Sequence, residues 1–471
     1  MDKEGKPMAG EILPQDASNW QNWEEECYQE GCAFARQRAQ QKLQELDDKL
    51  FQNHPPGWKV VGFRERTITT RFGEITVSRR LYRDEQGHYH FLLDEHLGWQ
   101  KRQLATPPVQ EAVVSLAATA ASYHEAAKIL EKLTAGVLSV MTIHRLVQKT
   151  AAKAIAEEEK AIRACFREGV VPESGGRVVP RLYIEADGLW VRLQREEQSH
   201  YEIKTAIAYE GWERLPQGGE RYRLVNKRVY CHAVERVDFW EGAALAFDRV
   251  WDTSRIELVV INGDGASWID EGILAFDKAI RQIDGFHLAR ACRRALGESK
   301  GAMLYEAIRG GEWDKAEGII RGSVPPKGKS KAQAWEWVKK LVWAREGEDW
   351  RNRVEGLSGG ERGLGAMEGN EAQVLARRMK GKGMSWSIRG AKNMAKVREL
   401  IINGEVGLWC KRGFVVEEIK KGRGDRRKSL RKGGTDGTWL EARVPVLYGP
   451  CACEPWVRAL RTLIHPPHLL N

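Results

Sequence analysis

The chain has 471 residues, 42% of them hydrophobic, which is enough for two or more domains with buried cores. Its 75 Lys and Arg residues outnumber 65 Asp and Glu residues, so the net charge is +10 and the pI is near 9.1, a balance that suits a polyanionic partner such as nucleic acid. No segment approaches about 18 consecutive apolar residues and the first residues lack the apolar core of a signal peptide, so we expect a soluble, cytoplasmic protein with no membrane partner.

The cysteine pattern argues against a disulfide framework. Eight cysteines are spread along the chain, and none forms a Cys-x-x-Cys pair. The residues that could hold zinc are Cys451, Cys453, His465 and His468. The Cys-x-Cys spacing is poor for zinc and prolines stiffen the tail between the histidines, so we do not expect a zinc site.

Residues 1–105 are predicted to form a long helix followed by a small β unit. Residues 18–52 are charged, amphipathic and free of proline. The alternating runs "RTITTRFGEITVSRRLYRD" (66–84) and "HYHFLLDEHLG" (88–98) then predict a β-hairpin unit. Its polar face carries arginines that are candidates for contacts with DNA phosphates, namely Arg66, Arg71, Arg79 and Arg80. The alternative is a solvated sheet face without a ligand.

Residues 106–172 have the pattern of a helical DNA-binding region. The short helix "SYHEAAKIL" (122–130) is followed by a glycine-containing turn and by "SVMTIHRLVQKT" (139–150), the layout of a helix-turn-helix. The second helix could present four polar residues to the major groove: Thr142, His144, Arg145 and Gln148. A plain helical bundle would show the same spacing.

Residues 173–296 alternate strand by strand. Short connections predict an antiparallel meander, and an apolar "LVVI" segment predicts a buried strand. The predicted elements are strands at 183–194, 201–212 and 221–235, a helix at 238–253, a buried strand within 256–269, a further helix and a short strand within 278–287. This is the layout of an RNase H-like core, a mixed five-stranded sheet with flanking helices, in a multidomain α+β or α/β protein.

Two aspartates stand where such a sheet places catalytic carboxylates. Asp187 interrupts the first strand beside Gly188; these residue types are depleted in strands, so a bulge is the alternative explanation. Asp264 falls where the buried strand ends, between two glycines that let the backbone bend. Carboxylates on adjacent strands can share Mg²⁺, and a site with two ions needs a third carboxylate.

The third carboxylate is predicted beyond a helical insertion at residues 297–365, within the final core helices at 366–405. Glu371 is the candidate, in the first turn of a helix; Glu368 is the alternative, in the glycine-rich lead-in. The insertion has to fold out of the way for this assignment. Its tryptophans are expected in a core, with stacking on an unpaired base as the alternative; they are Trp335, Trp337 and Trp343.

The remaining segments add charge but no nucleotide site. Residues 406–471 form a tail with the basic run "KKGRGDRRKSLRK" (420–432). The segment "GSVPPKGKS" (322–330) resembles a phosphate-binding P-loop. It has five residues between its glycines where a P-loop has four, and no buried strand precedes it. We therefore expect no ATP binding.

Seven stretches resemble the ISLre-type bacterial insertion-sequence transposases, in the same order and over roughly residues 55 to 400: "TRFGEITVSRRLYRD", "LLDEHLG", "SYHEAAKIL", "YIEADG", "GDGASWI", "DGFHLAR" and "RRMKGKGMSWSIRGAKNM". The resemblance implies a DDE-type DNA transposase with Asp187, Asp264 and Glu371 as catalytic metal ligands. It also implies two Mg²⁺ ions, replaceable by Mn²⁺, and double-stranded DNA partners, the transposon terminal inverted repeats and target DNA. A homo-oligomer on DNA in the bacterial nucleoid is expected. The lead-in "GNEAQV" departs from the family's pattern before the glutamate.

Five other residues receive supporting roles. Asp284 and His287 in "DGFHLAR" resemble an auxiliary motif near the metal. The alternative is an aspartate that begins a helix and a histidine that packs in the core. Three cations after Glu371 are candidates for DNA phosphate contacts, or else a solvated face: Arg377, Arg378 and Lys380. The competing functions are a nuclease of the same fold without strand transfer, and a DNA-binding protein descended from a transposase.

Overall fold

The computed structural model describes residues 20–135, 138–216, 221–234, 238–357, 361–381 and 383–411. The described residues divide into two compact units. One contains those up to Leu146 together with those from Val406 onward, and the other contains those from Val147 to Glu405. The predicted basic tail at 420–432 and the Cys and His residues near the C-terminus lie outside the described residues.

The elements follow in chain order. The first are α1 (Trp20–Gln52), β1 (Lys59–Thr70), β2 (Gly73–Arg83), β3 (Tyr89–His90), α2 (Leu92–His96), α3 (Pro107–Thr119), α4 (Tyr123–Leu133) and α5 (Val140–Phe166). The next are β4 (Arg181–Arg192), β5 (His200–Tyr209), β6 (Gly211–Arg214), β7 (Tyr222–Val225), β8 (Arg228–Cys231), α6 (Phe239–Asp248), β9 (Leu258–Gly263), α7 (Ser267–Asp270) and β10 (Ala279–Ile283). The last are α8 (Gly285–Leu296), α9 (Glu298–Arg309), α10 (Trp313–Arg321), α11 (Lys329–Ala344), α12 (Met367–Glu371), α13 (Arg377–Met379), α14 (Ile388–Ile402) and α15 (Val406–Lys411).

The first unit contains the predicted long helix and β unit. Strands β1 and β2 pair antiparallel, and β3 adds to β2. Alternating residues of the hairpin are buried, among them Ile68, Ile75 and Val77, as expected for a sheet with one face in a core. The helices predicted at 122–130 and 139–150 form within α4 and α5. No described helix is both long and apolar enough to cross a membrane.

The second unit is built on a mixed five-stranded sheet with the strand order β10-β9-β4-β5-β8. Strand β4 lies at the centre, parallel to β9 and antiparallel to β5. The edge strands are β10, parallel to β9, and β8, antiparallel to β5. The β4–β5 register is unbroken through Asp187, which pairs with Thr205, and Gly188, which pairs with Lys204. There is therefore no bulge at the acidic residue in this strand.

The third strand of the predicted meander differs from the prediction. The segments β6 and β7 form a separate two-stranded hairpin. Only the four residues of β8 then join the large sheet. The polar, alternating composition of 211–231 fits either pairing, so periodicity alone did not separate the two.

The two faces of β4 have different roles. Leu182, Ile184 and Ala186 pack with Phe239 and Phe247 of α6 in a buried apolar cluster. Successive side chains of a strand point to opposite faces, so residues 183, 185 and 187 lie on the face away from α6. Asp187 is therefore placed outside this apolar core.

The inserted helices are not a separate body. Helices α9, α10 and α11 share one buried cluster with α8, in which Leu288 and Cys292 of α8 meet Leu304, Ile308 and Val338. Among the tryptophans expected in a core, Trp335 is 4% exposed, whereas Trp343 is 45% exposed. The insertion thus extends the core of the unit around α8.

A buried ion cluster fixes α14. The Lys396 ammonium, 1% exposed, lies 2.5 Å from a Glu158 oxygen and 2.7 Å from a Glu399 oxygen. Glu399 also accepts the backbone N–H of Cys231 in β8 at 2.7 Å. Burial raises the pKa of Glu399 to about 7. One cation therefore compensates two carboxylates that are largely shielded from solvent.

We predict that Lys396→Met destabilises the second unit by about 3–5 kcal/mol at neutral pH, because two buried carboxylates lose their partner. Urea unfolding of the full chain measures the change. Arg389→Met is the matched control, because Arg389 is an exposed cation of the same helix, and its effect should stay within about 0.5 kcal/mol. Equal effects of the two substitutions would contradict the role given to Lys396.

Candidate functional site

Carboxylates gather at one edge of the large sheet. Glu185 in β4 pairs in register with Asn262 in β9, and each is followed two positions later by an aspartate, Asp187 and Asp264. Asp284 comes directly after β10, whose last residue pairs with Gly263. The carboxyl ends of adjacent parallel strands meet at the same edge. The predicted pair of aspartates is therefore brought together on neighbouring strands.

The two aspartates line a small cleft together with Asp284, His287 and Glu368. Asp187 accepts the backbone N–H of Gly188 at 2.7 Å, and Asp264 accepts that of Ala266 at 2.9 Å. These local hydrogen bonds hold each carboxylate by one oxygen.

The turn after β9 requires its glycines for two different reasons. Gly265 has φ of +91°, a left-handed conformation that favours glycine. Gly263 has no such conformation, but a Cβ there would lie 2.6 Å from the Ile269 side chain. The backbone bend predicted at both positions is thus needed at Gly265, whereas Gly263 provides space.

The charges in the cleft oppose one another. Burial raises the pKa of Asp187, and the neighbouring Asp264 and Asp284 raise it further, whereas the Gly188 N–H and His287 lower it. Burial also raises the pKa of Glu371, with Asp187 as the next cause. Several carboxylates thus lie close enough to repel one another when they are charged, and a bound cation would stabilise their charged forms.

Asp284 and His287 form a pair. The Asp284 carboxylate caps α8 by accepting the His287 backbone N–H at 3.0 Å, and it lies 3.0 Å from His287 Nδ1. Its other oxygen accepts Asn262 Nδ2 at 3.1 Å. Hydrogen bonding to Asp284 raises the pKa of His287. Asp284 thus begins the helix, as one alternative predicted, and the auxiliary role of the pair near a metal stays a prediction.

Glu185 is a site residue that the sequence reasoning missed. It is completely buried and accepts the Tyr209 hydroxyl at 2.6 Å and Asn262 Nδ2 at 3.0 Å. It also accepts three consecutive backbone N–H groups, those of Gly365, Ala366 and Met367, at 3.0–3.2 Å. Burial raises the pKa of this carboxyl, and the hydrogen bonds lower it. Glu185 thus attaches the start of α12 to β4, two residues from Asp187.

The two candidate glutamates are both on α12. Glu368 is in the first turn of the helix and lines the cleft, whereas Glu371 is the last residue of α12 and is not among the lining residues. The prediction that Glu371 lies in the first turn of a helix and Glu368 in the lead-in before it is therefore wrong. A π-helical turn, Ala372–Ala376, follows directly; such turns are frequent at functional sites.

The donor set suits Mg²⁺, which prefers carboxylate oxygens and retains water ligands. The cleft has a volume of about 20 Å³, and a water-sized sphere needs roughly 10–15 Å³, so it has room for about one ion. Among the described residues, no three His, Cys, Asp or Glu side chains are close enough together to hold a metal ion. Metal binding by the two aspartates therefore stays a prediction, and it would require a third carboxylate to approach them.

Three of the four hairpin arginines predicted to contact phosphates have internal partners. Arg66 and Arg79 both bond to Asp94 of α2, and Arg80 lies 2.6 Å from Asp47 and 2.7 Å from Asp48 of α1. Arg71 is exposed in the β1–β2 turn. In this conformation, Arg71 is the member of the predicted set whose guanidinium is open to a phosphate, and its DNA contact stays a prediction.

The residues predicted on the second DNA-binding helix differ in accessibility. Arg145 is exposed, and Thr142 and His144 are partly exposed. His144 packs edge-on against Tyr123, and Gln148 accepts the side-chain N–H of Asn393. Contacts of this helix with bases stay predictions.

Among the cations after Glu371, Arg377 and Lys380 are exposed. Arg378 is 4% exposed and stacks over Trp386, with 5.4 Å between the guanidinium and the ring. In this conformation only the outer two face solvent. Their contacts with DNA also stay predictions.

We predict that Glu185→Gln loosens the start of α12 without unfolding the sheet, because an amide NH₂ cannot accept hydrogen bonds. Hydrogen exchange at Gly365, Ala366 and Met367 should accelerate by about tenfold or more, since charge-assisted hydrogen bonds contribute about 1.5–3 kcal/mol each. Glu257→Gln removes an exposed carboxylate of the same unit and should leave this exchange unchanged. Unchanged exchange in Glu185→Gln would contradict the attachment.

The chain was compared with known proteins. The model of the uncharacterised protein family UPF0236 matches residues 16–413. A UPF0236 protein in the vanSb 3′ region of Streptococcus gallolyticus is 27% identical over 422 residues, which cover 84% of this chain and 86% of the relative. A UPF0236 protein of Caldanaerobacter subterraneus subsp. tengcongensis, whose name joins eleven gene labels, is 25% identical over 391 residues, 79% of this chain and 75% of the relative. The chain belongs to the uncharacterised protein family UPF0236.

Proposed function

We propose that this protein is a metal-dependent DNA transposase of the DDE type. The observation that carries the proposal is the position of Asp187 and Asp264 at adjacent parallel strands of the large sheet, lining one cleft. The strand order β10-β9-β4-β5-β8, with one antiparallel meander and two parallel neighbours, matches the RNase H-like arrangement expected of such an enzyme. The ISLre-type resemblance points to the same activity.

Each residue at the cleft has a proposed role. Asp187 and Asp264 would hold Mg²⁺, with a carboxylate of α12, Glu371 or Glu368, as the third ligand. Bound there, Mg²⁺ or Mn²⁺ would polarise the phosphodiester and lower the pKa of an attacking water. Asp284 and His287 would orient groups around the aspartates, because their hydrogen bond fixes both side chains. Glu185 would keep α12 within reach of the cleft.

The relatives give independent support. Several of the Caldanaerobacter relatives have names that join two or more gene labels of one strain, and one joins eleven. Several genes for one protein in a genome are what a self-copying insertion element leaves behind. This pattern favours a transposase over a nuclease or a DNA-binding protein with a cellular role.

The basic composition fits the substrate proposed. The substrates would be the transposon ends with their terminal inverted repeats, followed by target DNA, with a homo-oligomer assembled on DNA in the bacterial cytoplasm. In cleavage, water attacks the phosphorus atom and the bond to the 3′-oxygen breaks, which leaves a 5′-phosphate and frees a 3′-OH. Strand transfer then joins that 3′-OH to a phosphate of target DNA, with release of the target's own 3′-oxygen.

We predict that Asp187→Asn and Asp264→Asn each reduce metal-dependent cleavage by on the order of 10³-fold or more. The measurement is nicking of duplex DNA that carries the inverted repeats flanking the gene, in Mg²⁺ and in Mn²⁺. Asp277→Asn is the control, because Asp277 is exposed and precedes β10, at the other end of that strand. Near-normal nicking by Asp187→Asn would contradict the assignment of Asp187 as a metal ligand.

The third carboxylate is tested by Glu371→Gln and Glu368→Gln. The sequence predicts a severe loss for Glu371→Gln, whereas the cleft lining predicts it for Glu368→Gln. We expect one of the two to match Asp187→Asn and the other to stay within about tenfold of the wild type, since a third ligand contributes several kcal/mol. If both substitutions reduce cleavage only mildly, the metal would be held by the two aspartates without a third carboxylate.

Strand transfer separates the transposase from the alternatives. A pre-cleaved end with a free 3′-OH should become joined to a target plasmid by the wild-type protein. Cleavage without joining would identify a nuclease. Binding of DNA without cleavage in either metal would identify a DNA-binding protein.

A further inference from the structure

An open groove runs from the carboxylate cleft along α8. Its first part has a volume of about 310 Å³ and lies between α8 and α11. Asp264 and His287 stand at the end that meets the cleft, since they line both. Arg290 and Arg294 of α8 lie on one side and Gln333 and Trp337 of α11 on the other.

A second cavity of about 410 Å³ adjoins the first through Arg294, which lines both. Its other cations are Arg293, Lys300 and Lys331, and the described residues that line it include no carboxylate. The two cavities thus form one path that leads away from the aspartates and becomes more basic along its length. We call this path the α8 groove.

The cations of the α8 groove are available. Arg290, Arg294, Lys300 and Lys331 are exposed, and no ion pair joins any of them to another described residue, whereas Arg293 lies 3.3 Å from Glu298. Arg290 and Arg294 are four positions apart on α8, so both side chains lie on the same helix face. Unpaired cations in a row leave a positive potential without a structural partner.

An aromatic ring stands at the mouth of the groove. Trp337 is half-buried, and a Cβ on Gly265 would lie 3.2 Å from its ring. Gly265 directly follows Asp264, so the indole lies beside the turn that carries one of the two aspartates. A ring next to a row of cations is the combination that binds unpaired nucleotides, by base stacking and phosphate contacts.

We infer that the α8 groove holds a single DNA strand that leads into the carboxylate cleft, with phosphates on Arg290 and Arg294 and a base against Trp337. Each cavity is of the size that holds a small organic ligand, about 300–1,000 Å³, so each has room for about one nucleotide of a strand. The inference rests on the proposed function for the identity of the substrate. The inserted helices thereby form one wall of the substrate path.

The experiment measures binding of a fluorescein-labelled, mixed-sequence single strand of about 16 nucleotides to the full chain in EDTA, where no metal-dependent cleavage occurs. Arg290→Ala/Arg294→Ala should bind about tenfold or more weakly. Its salt dependence should fall by about 1.4 in the slope of log K against log salt, at about 0.7 per phosphate contact. Lys315→Ala/Arg321→Ala removes two exposed cations of α10 outside the groove and should bind within about twofold of the wild type.

Two substitutions of Trp337 test the contact between its ring and a base. Trp337→Leu keeps an apolar side chain but loses the ring, and should bind about fivefold or more weakly, whereas Trp337→Phe should bind nearly as the wild type. Circular dichroism confirms that each variant is folded. Excess ATP should displace the strand only in part, because a mononucleotide lacks the successive phosphate and base contacts of a strand.

The results separate this inference from the proposed function. Equal affinity of the groove and α10 variants, no binding of the single strand by the wild type, or full displacement by ATP would each overturn the groove assignment. Nicking of duplex ends by the same wild-type preparation in Mg²⁺ is measured in parallel. If nicking occurs while the groove variants bind and cleave normally, the transposase proposal stands and the groove does not.

Discussion

The buried carboxylate of Glu185 is the constraint around which the candidate site is arranged. A charge without solvent is costly unless every oxygen is hydrogen-bonded, and here five donors surround one carboxyl group. Those donors come from β5, β9 and the start of α12, so the requirements of one side chain determine how three elements meet. Asn262 extends the network to Asp284, which links the third parallel strand to the same point.

This arrangement explains which parts of the site could be predicted from the sequence. Asp187 and Asp264 could be singled out because Asp187 interrupts a strand pattern and Asp264 follows a buried strand between two glycines, and a short connection predicted that β4 and β5 pair. The start of α12 could not be predicted, because helix starts are usually recognised by a local capping residue. Ala366 at the N-cap has no side-chain cap, and the acceptor of its N–H is Glu185, 181 positions away. Periodicity carries no information about such a distant partner.

The hairpin arginines show the same limit for charge. A row of basic residues on a strand predicts a basic surface, but Asp94 and Asp47 turn three of them inward. The acids lie on helices that flank the hairpin, and their spacing from the arginines in the chain has no regular period. By contrast, the unpaired cations of the α8 groove were not singled out from the sequence, because "ARACRRAL" reads as an ordinary amphipathic helix.

The carboxylate cleft and the wall of the α8 groove are formed by different parts of the second unit, although the inserted helices share a core with α8. The residues that hold the carboxylates in place belong to the sheet and α12, whereas one wall of the α8 groove belongs to α11. Exposed positions such as Ser330 and Gln333 can therefore vary in size and polarity without disturbing the aspartates. Under the proposed function, substitutions at such exposed positions of the insertion would alter which DNA is accepted without moving the aspartates.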